Sequence, residues 1–409
     1  MKIVVTGGSG FVGQALVPLL DRPDVQLLLV GRHPQRLAAL FPGVEVCGYA
    51  ELESRARGWD QLLHLAVVNT DSSPTAEEFN RINVDFLINV AETARRAGIR
   101  QFVNVSSVHA LDPGNQSPYA RSKRAAIERL AGLKGLDSLT VYLPAVHADR
   151  WAGRLAWLNG LPKPLALRLF GLVAALKPTV HVQRLAGFVL AADSFRPGSA
   201  VGAQSLQPDE LILSDGQRTN IWYAGIKRSA DMVVALAILL VFWWALFLLW
   251  AFIRLDSPGP GLFAQTRVGK DGREFLSYKF RTMKTGMPQV GTHEIPPSAV
   301  TQVGSFLRRT KLDELPQVWN ILRNEMSLIG PRPCLPVQDE LIEARGALGV
   351  LDVKPGISGL AQINGIDMSN PVRLANCDAR YVALRSLVLD TRIAVATALG
   401  KGQGDKVGE

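Results

Sequence analysis

The sequence predicts an α/β protein in two parts, a doubly wound parallel sheet followed by a mostly α-helical, membrane-associated domain. Three observations predict this. A short β-branched strand opens the chain and feeds a glycine-rich turn into a helix, after which apolar strands alternate with helical stretches. From Met232 to Ile253 the chain runs for 22 residues without a charge or a proline, enough for a helix to cross a bilayer core of about 30 Å. Beyond that run the charges become dense. With 409 residues the chain can build two or three domains, each with its own core. The expected boundaries are 1–215 for the sheet domain, 216–230 for a linker and 231–255 for a re-entrant membrane hairpin. A catalytic domain over 256–400 and a flexible tail over 401–409 follow.

Composition narrows the function classes. Hydrophobic residues make up 47% of the chain and mean hydropathy is slightly positive, with the excess concentrated in the apolar run. The formal net charge of +9 is spread along the chain. With no polybasic arm and no aromatic-basic repeat, a nucleic-acid partner is not expected, and a mildly basic surface beside anionic lipids suffices. Cys47, Cys334 and Cys377 are widely separated and form no CxxC pair, which fits a reducing compartment and offers no thiolate metal site. Met1-Lys2 runs straight into a strand, so no cleavable signal peptide is expected.

The first strand is KIVVT at 2–6, followed by Gly7-Gly8-Ser9-Gly10-Phe11-Val12-Gly13 and a helical stretch to Leu20. Such a turn is a phosphate cradle: glycines admit the backbone close to a pyrophosphate, and the helix dipole favours its charge. Apolar strands follow at 26–31 and 61–66, then a helix at 77–97 and a strand at 102–106. After that strand come Ser106-Ser107 and Tyr119-Ala120-Arg121-Ser122-Lys123. Positions i and i+4 share a helix face, so Lys123 falls under Tyr119. Its charge is expected to lower the phenol pKa, with a serine hydroxyl completing a proton-transfer pair. A Tyr-x3-Lys spacing taken alone is an ordinary helix face.

Together these residues resemble the short-chain dehydrogenase/reductase superfamily in its extended, nucleotide-sugar branch, over roughly residues 1–145. Thr6 to Gly13, His64-Leu65-Ala66, Asn83-Val84, Ser106-Ser107 and Tyr119/Lys123 fall in that family's order. The resemblance implies a Rossmann-like fold and a cofactor site built on Gly7, Gly10, Phe11, Val12 and Gly13. It also implies Ser107 as the substrate-orienting hydroxyl, Tyr119 as acid/base, and Lys123 as ribose binder and pKa modulator.

Departures from the pattern matter. The acidic residue expected after the second strand is replaced by Gly31-Arg32, and an arginine suits a 2′-phosphate, so NADP and NAD both stay open. Only 12 positions separate Ser107 from Tyr119, so a loop over the site is trimmed. The stretch 145–215 is short and shows no clear sugar-nucleotide pocket, apart from a segment near His181-Val182. Val108-His109 after Ser107 argues against 4,6-dehydration, leaving reduction or epimerisation at C4. A cofactor-binding but non-catalytic domain is the alternative.

Around the apolar run, Lys227-Arg228 precede it and Arg254, Arg267 and Lys270 follow, which gives no orientation bias. A helix entering and leaving on one face keeps both halves beside their soluble substrates. The expectation is therefore a re-entrant hairpin, with a straight spanning helix as the alternative. Trp243-Trp244 occupies the place where a Ser-Pro break would bend the chain.

After the turn Asp256-Ser257-Pro258-Gly259-Pro260 come Tyr278-Lys279-Phe280-Arg281-Thr282-Met283 and Arg308-Arg309-Thr310-Lys311-Leu312-Asp313-Glu314-Leu315-Pro316. Gly330-Pro331-Arg332-Pro333 and Lys354-Pro355-Gly356-Ile357-Ser358-Gly359 complete the series. Arginines and lysines neutralise a pyrophosphate during phosphoryl transfer. Adjacent carboxylates supply hard oxygen ligands for Mg²⁺ and a candidate nucleophile. Asp313-Glu314 is the acidic pair set among cations; Asp339-Glu340 belongs to a plain polar helix. Alone, Asp-Glu beside Arg-Arg is a surface ion-pair cluster.

The wider string LDELPQVWNILRNEMSLIGPRP at 312–333 resembles the monotopic phosphoglycosyl transferases, the bacterial sugar transferase family. FAQTRVGKDGREFLSYKFRTM at 263–283, KPGISGLAQING at 354–365 and LVLDTRIAVATAL at 387–399 match in order, so the likeness spans about 225–400. It implies Asp313 as a nucleophile that attacks the sugar-bearing phosphorus of a UDP-sugar and expels UMP. Asp313 and Glu314 would hold Mg²⁺, and Lys279, Arg281, Arg308 and Arg332 would bind phosphate oxygens. Polyprenyl phosphate then takes the phosphosugar. Leu360 stands for a usual tryptophan and Ile366 for a usual arginine. A last helix, roughly 379–399, is expected at the membrane interface or on the domain core.

The joint expectation is a bifunctional enzyme at the cytoplasmic face of a bacterial inner membrane, with both domains on that face. Its partners are a UDP-sugar donor, the polyprenyl phosphate acceptor and membrane lipids. A single-activity transferase, whose front domain binds nucleotide or sets a homo-oligomeric state, is the second reading.

Overall fold

In the computed structural model, residues 1–68, 74–151, 153–191, 203–207, 209–286 and 299–402 are described, and they form two compact units. The first comprises Met1–Ala166 and Pro178–Gly216, the second Leu167–Lys177 and Gln217–Glu409.

Alternating apolar strands and helices in the first unit build one sheet. Its strands are β1 (Lys2–Thr6), β2 (Gln26–Val30), β3 (Glu45–Cys47), β4 (Gln61–His64), β5 (Gln101–Ser107) and β6 (Asp137–Leu143). After the small parallel pair β7 (Ala145–His147) and β8 (Thr179–His181) come β9 (Ala203–Gln207) and β10 (Glu210–Leu213). The order across the sheet is β3-β2-β1-β4-β5-β6-β10-β9, parallel except for the antiparallel edge pair β10–β9. Ile3 and Val5 face one core with Leu16, Val103 and Leu185. Val4 faces the other with Leu62, Leu87 and Phe102. Burial on both faces is what a parallel sheet wrapped by helices requires, and why its strands are almost continuously apolar. The strand order reverses between β1 and β4, and the carboxyl ends of the strands there open a crevice for a ligand.

The helix expected at 77–97 runs from Ala76 to Arg96 with a widened π segment at Arg81–Phe86. A reciprocal cap between Thr75 and Glu78 starts it. In the π segment the Asn83 amide exchanges hydrogen bonds with the Val68 backbone and reaches Ser122.

In the second unit the expected linker over 216–230 is replaced, from Ile221 onward, by helix. Asn220 caps it through the amides of Trp222 and Tyr223, and Ile221–Val241 runs unbroken into the apolar run. The chain then bends by 67° and continues as Trp243–Asp256. Phe242 alone leaves helical geometry. The bend arises without a proline because both arms are held by the rest of the unit. Arg228 donates to the carbonyls of Ile321 and Leu322 at one end, and Arg281 to those of Ile253, Ser257 and Pro258 at the other. Ala235 packs with Val318 and Ile321, and Ile253 with Phe280 and Leu307. Among the described residues no single helix is long and apolar enough to cross a membrane.

The hairpin β11 (Leu262–Val268) and β12 (Glu274–Phe280) follows, then the helix Gln302–Thr310 and the parallel pair β13 (Ser327–Ile329) and β14 (Gly356–Ser358). Gly330 and Gly356 meet backbone to backbone here. A Cβ on Gly356 would lie 2.1 Å from the Gly330 nitrogen, so neither position admits a side chain. The single last helix expected over 379–399 is two, Pro371–Leu384 and Leu387–Ala398. Arg385 turns extended between them and the Ser386 hydroxyl accepts the Leu389 amide. The helix Asp339–Ala347 is fixed by a fully buried Arg345–Asp378 pair at 2.6 Å.

Candidate active site

In the first unit the glycine turn lies at the carboxyl end of β1. Gly7 has φ +74°, and a Cβ there would come within 2.6 Å of the Leu65 carbonyl carbon and the Ala66 nitrogen. A Cβ on Gly13 would lie 2.5 Å from Gly8. The helix Phe11–Leu20 starts at Gly10 with no side chain capping its first amides, so they are free to meet an anion. Phe11 is exposed at that mouth and Val12 half-buried. Arg32, also exposed, follows the end of β2, whose register pairs Thr6 with Val30. The residues fit a dinucleotide: a cradle too tight for side chains, open helix amides, and a cation near the ribose end.

Ser107 ends β5, and Tyr119 with Lys123 lies on the helix Pro118–Ala131. Ser107 acts on the Tyr119 phenol, drawing its pKa down, while the Ser107 hydroxyl itself accepts from the His109 amide at 3.3 Å. The Lys123 ammonium is 6.0 Å from the Tyr119 ring centre. Lys123 is 2% exposed and burial pulls its pKa down to about 7. The expected lowering of the phenol pKa is reversed: burial pushes Tyr119 up, with Ser107 acting in the opposite sense. Beneath them His64 is wholly buried, paired through Nδ1 with the Thr6 hydroxyl at 2.9 Å, and held neutral by burial and by the Lys123 charge, its pKa near 3.

In the second unit the helix Gln302–Thr310 closes at Lys311, a left-handed residue at φ +59°. The chain then enters a tight 3₁₀ turn, Leu312–Gln317, bearing Asp313 and Glu314 in its first turn. Ser277 and Lys279, two apart on β12, share the face turned to this segment. Lys279 Nζ donates to Glu314 Oε1 at 2.8 Å and Arg332 Nη1 approaches the same oxygen at 3.2 Å. Asp313 has no direct hydrogen-bond or ion-pair partner among the described residues. Burial pushes its carboxyl up to about 6, while the charges of Lys279, Arg332 and Arg308 act in the opposite sense and Glu314 reinforces burial. Arg308 is steadied by the Thr282 hydroxyl at 3.0 Å.

One expected phosphate ligand is elsewhere. Arg281 is 6% exposed, and its guanidinium is spent on the carbonyls that close the second helix of the bent pair, with the Ser257 hydroxyl as a further partner. Ile366 packs with Val268, Cys334 and Ala361, and Leu360 with the core around Ile329 and Tyr381.

Several site residues escaped the sequence reading. A small cleft is lined by Arg267, Ser277, Lys279, Glu314, Gln317 and Arg332, among others. The Ser277 hydroxyl is buried there without a hydrogen-bond partner among the described residues. Asn320, fully buried, donates to the Leu276 carbonyl at 2.6 Å and accepts from the Tyr278 amide at 3.2 Å. That pair of bonds ties β12 to the residues after the acidic turn and so sets Lys279 against Glu314. Arg345 holds the Arg332 carbonyl at 2.8 Å. The alternation along β12 was the available signal for Ser277; nothing in the sequence marked Asn320.

Comparison with known proteins divides the chain in the same two regions. Residues 222–401 match the bacterial sugar transferase model, and residues 3–134 match the NAD dependent epimerase/dehydratase family. A UDP-glucose:undecaprenyl-phosphate glucose-1-phosphate transferase of Escherichia coli K12 is 45% identical over 185 residues, 42% of this chain and 39% of that one. The exopolysaccharide production protein PSS of Rhizobium leguminosarum bv. phaseoli is 38% identical over 202 residues, covering 44% of this chain and 98% of its own. A crystal structure of UDP-galactose 4-epimerase, 21% identical, covers 58% of this chain and 83% of its own with a TM-score of 0.39. The chain thus spans under half of the Escherichia coli relative and nearly all of the Rhizobium one. On that evidence the chain belongs to the bacterial sugar transferase family.

Proposed function

We propose that the chain transfers a phosphosugar from a UDP-sugar to polyprenyl (undecaprenyl) phosphate at the cytoplasmic face of a bacterial inner membrane. The observation that carries this is the division of labour in the acidic pair. Lys279 and Arg332 hold Glu314, while Asp313 has no direct partner among the described residues and lies beside their charges.

In this reading Asp313 attacks the sugar-bearing phosphorus. A new bond from its carboxylate oxygen to phosphorus forms as the bond to the UMP oxygen breaks, and UMP leaves with the electron pair. An oxygen of polyprenyl phosphate then attacks the same phosphorus and releases the Asp313 carboxylate. Lys279, Arg308 and Arg332 offset the charge that builds on the transferring group. One or two carboxylates plus substrate phosphates suit Mg²⁺. Asp313 and Glu314 would hold it, and it would supply further charge neutralisation. The exposed tip of the bent helix pair, with Leu240, Phe242, Trp243, Trp244 and Phe247 all open, would enter the bilayer from one side and bring the lipid acceptor to this cleft.

The first unit would bind NAD or NADP, whose nicotinamide supplies hydride chemistry at C4 of the UDP-sugar. Tyr119 and Ser107 would move the proton on the C4 oxygen and Lys123 would bind the ribose. Reduction or epimerisation there makes the enzyme bifunctional. A second reading, a cofactor-binding module without turnover, is favoured by a phenol that burial pushes up instead of down. UMP release measured over a panel of UDP-sugars, with polyprenyl phosphate, Mg²⁺ and with or without NAD(P)H, tests the set. Full UMP release by Asp313→Asn would overturn the transferase mechanism. Unchanged sugar and cofactor across the panel would leave the first unit a binding module.

A further inference from the structure

Residues 150–192, where a sugar-nucleotide pocket was sought, contain no carboxylate at all. Every charge between Asp149 and Asp193 is a cation, among them Arg168 and Lys177. Within this stretch the helix Lys163–Leu176 reads KPLALRLFGLVAAL. Ala166, Phe170 and Ala174 form its buried stripe, whereas Leu165, Leu172 and Leu176 lie on another stripe and are 46%, 38% and 44% exposed. Arg168 is exposed within that second stripe. The pattern is inverted relative to a soluble helix, which turns polar residues to water.

The part of this helix from Leu167 to Lys177 belongs to the second unit, and side chains at the entry to the bent helix pair hold it there. Gln217 donates to the Ala174 carbonyl at 2.6 Å, Asn220 to that of Gly171 at 2.8 Å, and the Trp222 indole to that of Arg168 at 3.0 Å. A Cβ on Gly171 would lie 3.2 Å from the Trp222 ring, so the two helices approach closely at that point. Beside the contact Ile221, Trp222 and Ile226 are also exposed, by 73%, 41% and 40%. An apolar surface therefore continues from the helix Lys163–Leu176 onto the first turns of the membrane segment. Trp222 and the exposed cations Arg168 and Lys177 border it, the composition that suits the headgroup level of an anionic membrane.

We propose that the exposed face of the helix Lys163–Leu176, with Leu172, Leu176 and Arg168 at its centre, docks on the surface of an anionic lipid bilayer. It acts as a second membrane contact beside the re-entrant pair. The proposal rests on the membrane reading of the second unit given above. Part of the stretch 145–215 is thereby given to holding the protein on lipid.

The test uses the full chain in vesicles of phosphatidylcholine and phosphatidylglycerol whose acyl chains are brominated or not. An environment-sensitive fluorophore is placed on Leu172→Cys or, separately, Leu176→Cys, with Phe247→Cys as the probe of the helix-pair tip, all in a Cys377→Ala background. Brominated lipid is expected to lower emission about twofold or more at Leu172 and Leu176, and the effect weakens when phosphatidylglycerol is omitted. Quenching at Phe247 with none at Leu172 and Leu176 overturns the proposal and leaves the membrane reading standing. No quenching at any of the three sites overturns both. Emission at Leu172 that depends on protein concentration and not on brominated lipid assigns the face to a second copy of the chain and likewise overturns it.

Discussion

Lys279 Nζ lies 2.8 Å from Glu314 Oε1, and this bond separates the roles of two adjacent carboxylates. A carboxylate held by Lys279 and Arg332 is a poor nucleophile because its lone pairs are engaged. Its neighbour Asp313, partly buried without a direct partner among the described residues, keeps its oxygens for chemistry. The pKa pushed to about 6 sets a pH window. Below it Asp313 is protonated and cannot attack, so kcat/KM for UMP release should fall about tenfold per unit under pH 6 and level off above it. Lys279 contributes the largest opposing charge, so Lys279→Ala should move the midpoint upward. Its rate at neutral pH should fall about 100-fold. A flat profile between pH 5 and 8 in the parent enzyme would contradict the assignment.

The same perturbation makes Asp313 costly to the fold at neutral pH. Its folded pKa, about 6, lies above the ordinary carboxyl value of 3.8. The stabilising protonated form is fully present below about pH 4, and that stability is lost as pH rises through 6. Asp313→Asn should therefore raise the unfolding midpoint of the second unit at pH 7.5. The gain is at most about 2–3 kcal/mol, a few degrees in Tm, and disappears near pH 4. Calorimetry at the two pH values checks this, and a loss of stability at pH 7.5 would count against a buried, unpaired Asp313.

Legibility in the sequence followed the range of the interaction. The parallel sheet, the glycine turn and the order of the motifs could be read because each depends on neighbours within a few positions. A hairpin in the apolar run was expected from where its two flanks must lie, but not its position at Phe242, since Trp243-Trp244 carries no breaker; the cause lies with Arg228 and Arg281, which tie the arms to carbonyls far along the chain. The placement of Arg281 was not legible for the same reason. Within Lys279-Phe280-Arg281 two cations two apart on a strand share a face by pattern, yet Arg281 follows the last residue of β12 and turns to the second helix of the bent pair. Asn320 was invisible because its role is to join β12 to the acidic turn through main-chain groups.

Arg281 should accordingly behave as a structural residue. Arg281→Ala strips hydrogen bonds from the Ile253, Ser257 and Pro258 carbonyls and should cost about 2–4 kcal/mol of stability. The protein that remains folded should keep UMP release within about tenfold of the parent, in contrast to Lys279→Ala. Thermal unfolding and steady-state kinetics on the same preparation separate the two. A selective rise in donor KM without loss of stability would return Arg281 to the phosphate site.

Ser277 lines the cleft with a hydroxyl that has no partner among the described residues. A buried hydroxyl left unpaired costs free energy, and one aimed into a substrate cleft regains it when ligand binds. Ser277→Ala should leave the fold as stable as the parent or more so. Its KM for the UDP-sugar should rise about 5–10-fold with little change in kcat, the size of one neutral hydrogen bond. Titration of UDP binding by calorimetry gives the same comparison without turnover, and unchanged affinity would remove Ser277 from the donor site.

Lys123 offers the corresponding test in the first unit. An ammonium 2% exposed, with no hydrogen-bond or ion-pair partner among the described residues and a pKa lowered from 10.5 to about 7, opposes folding. The sign follows from the unfolded chain binding the proton more tightly. The cost is full below pH 7 and fades as pH rises toward 10.5. Lys123→Met keeps the aliphatic length and removes the charge, so it should stabilise the first unit at pH 7, by on the order of 5 kcal/mol as an upper limit. If the lysine is retained to hold the ribose of a dinucleotide, the same substitution should weaken NADH or NADPH binding by about tenfold or more. Stabilisation together with lost cofactor affinity, read by thermal unfolding and by cofactor fluorescence, marks a residue kept for binding at the expense of the fold. Stabilisation with unchanged affinity for both nucleotides would show that the glycine turn binds the cofactor without Lys123, and would favour the module reading over the catalytic one.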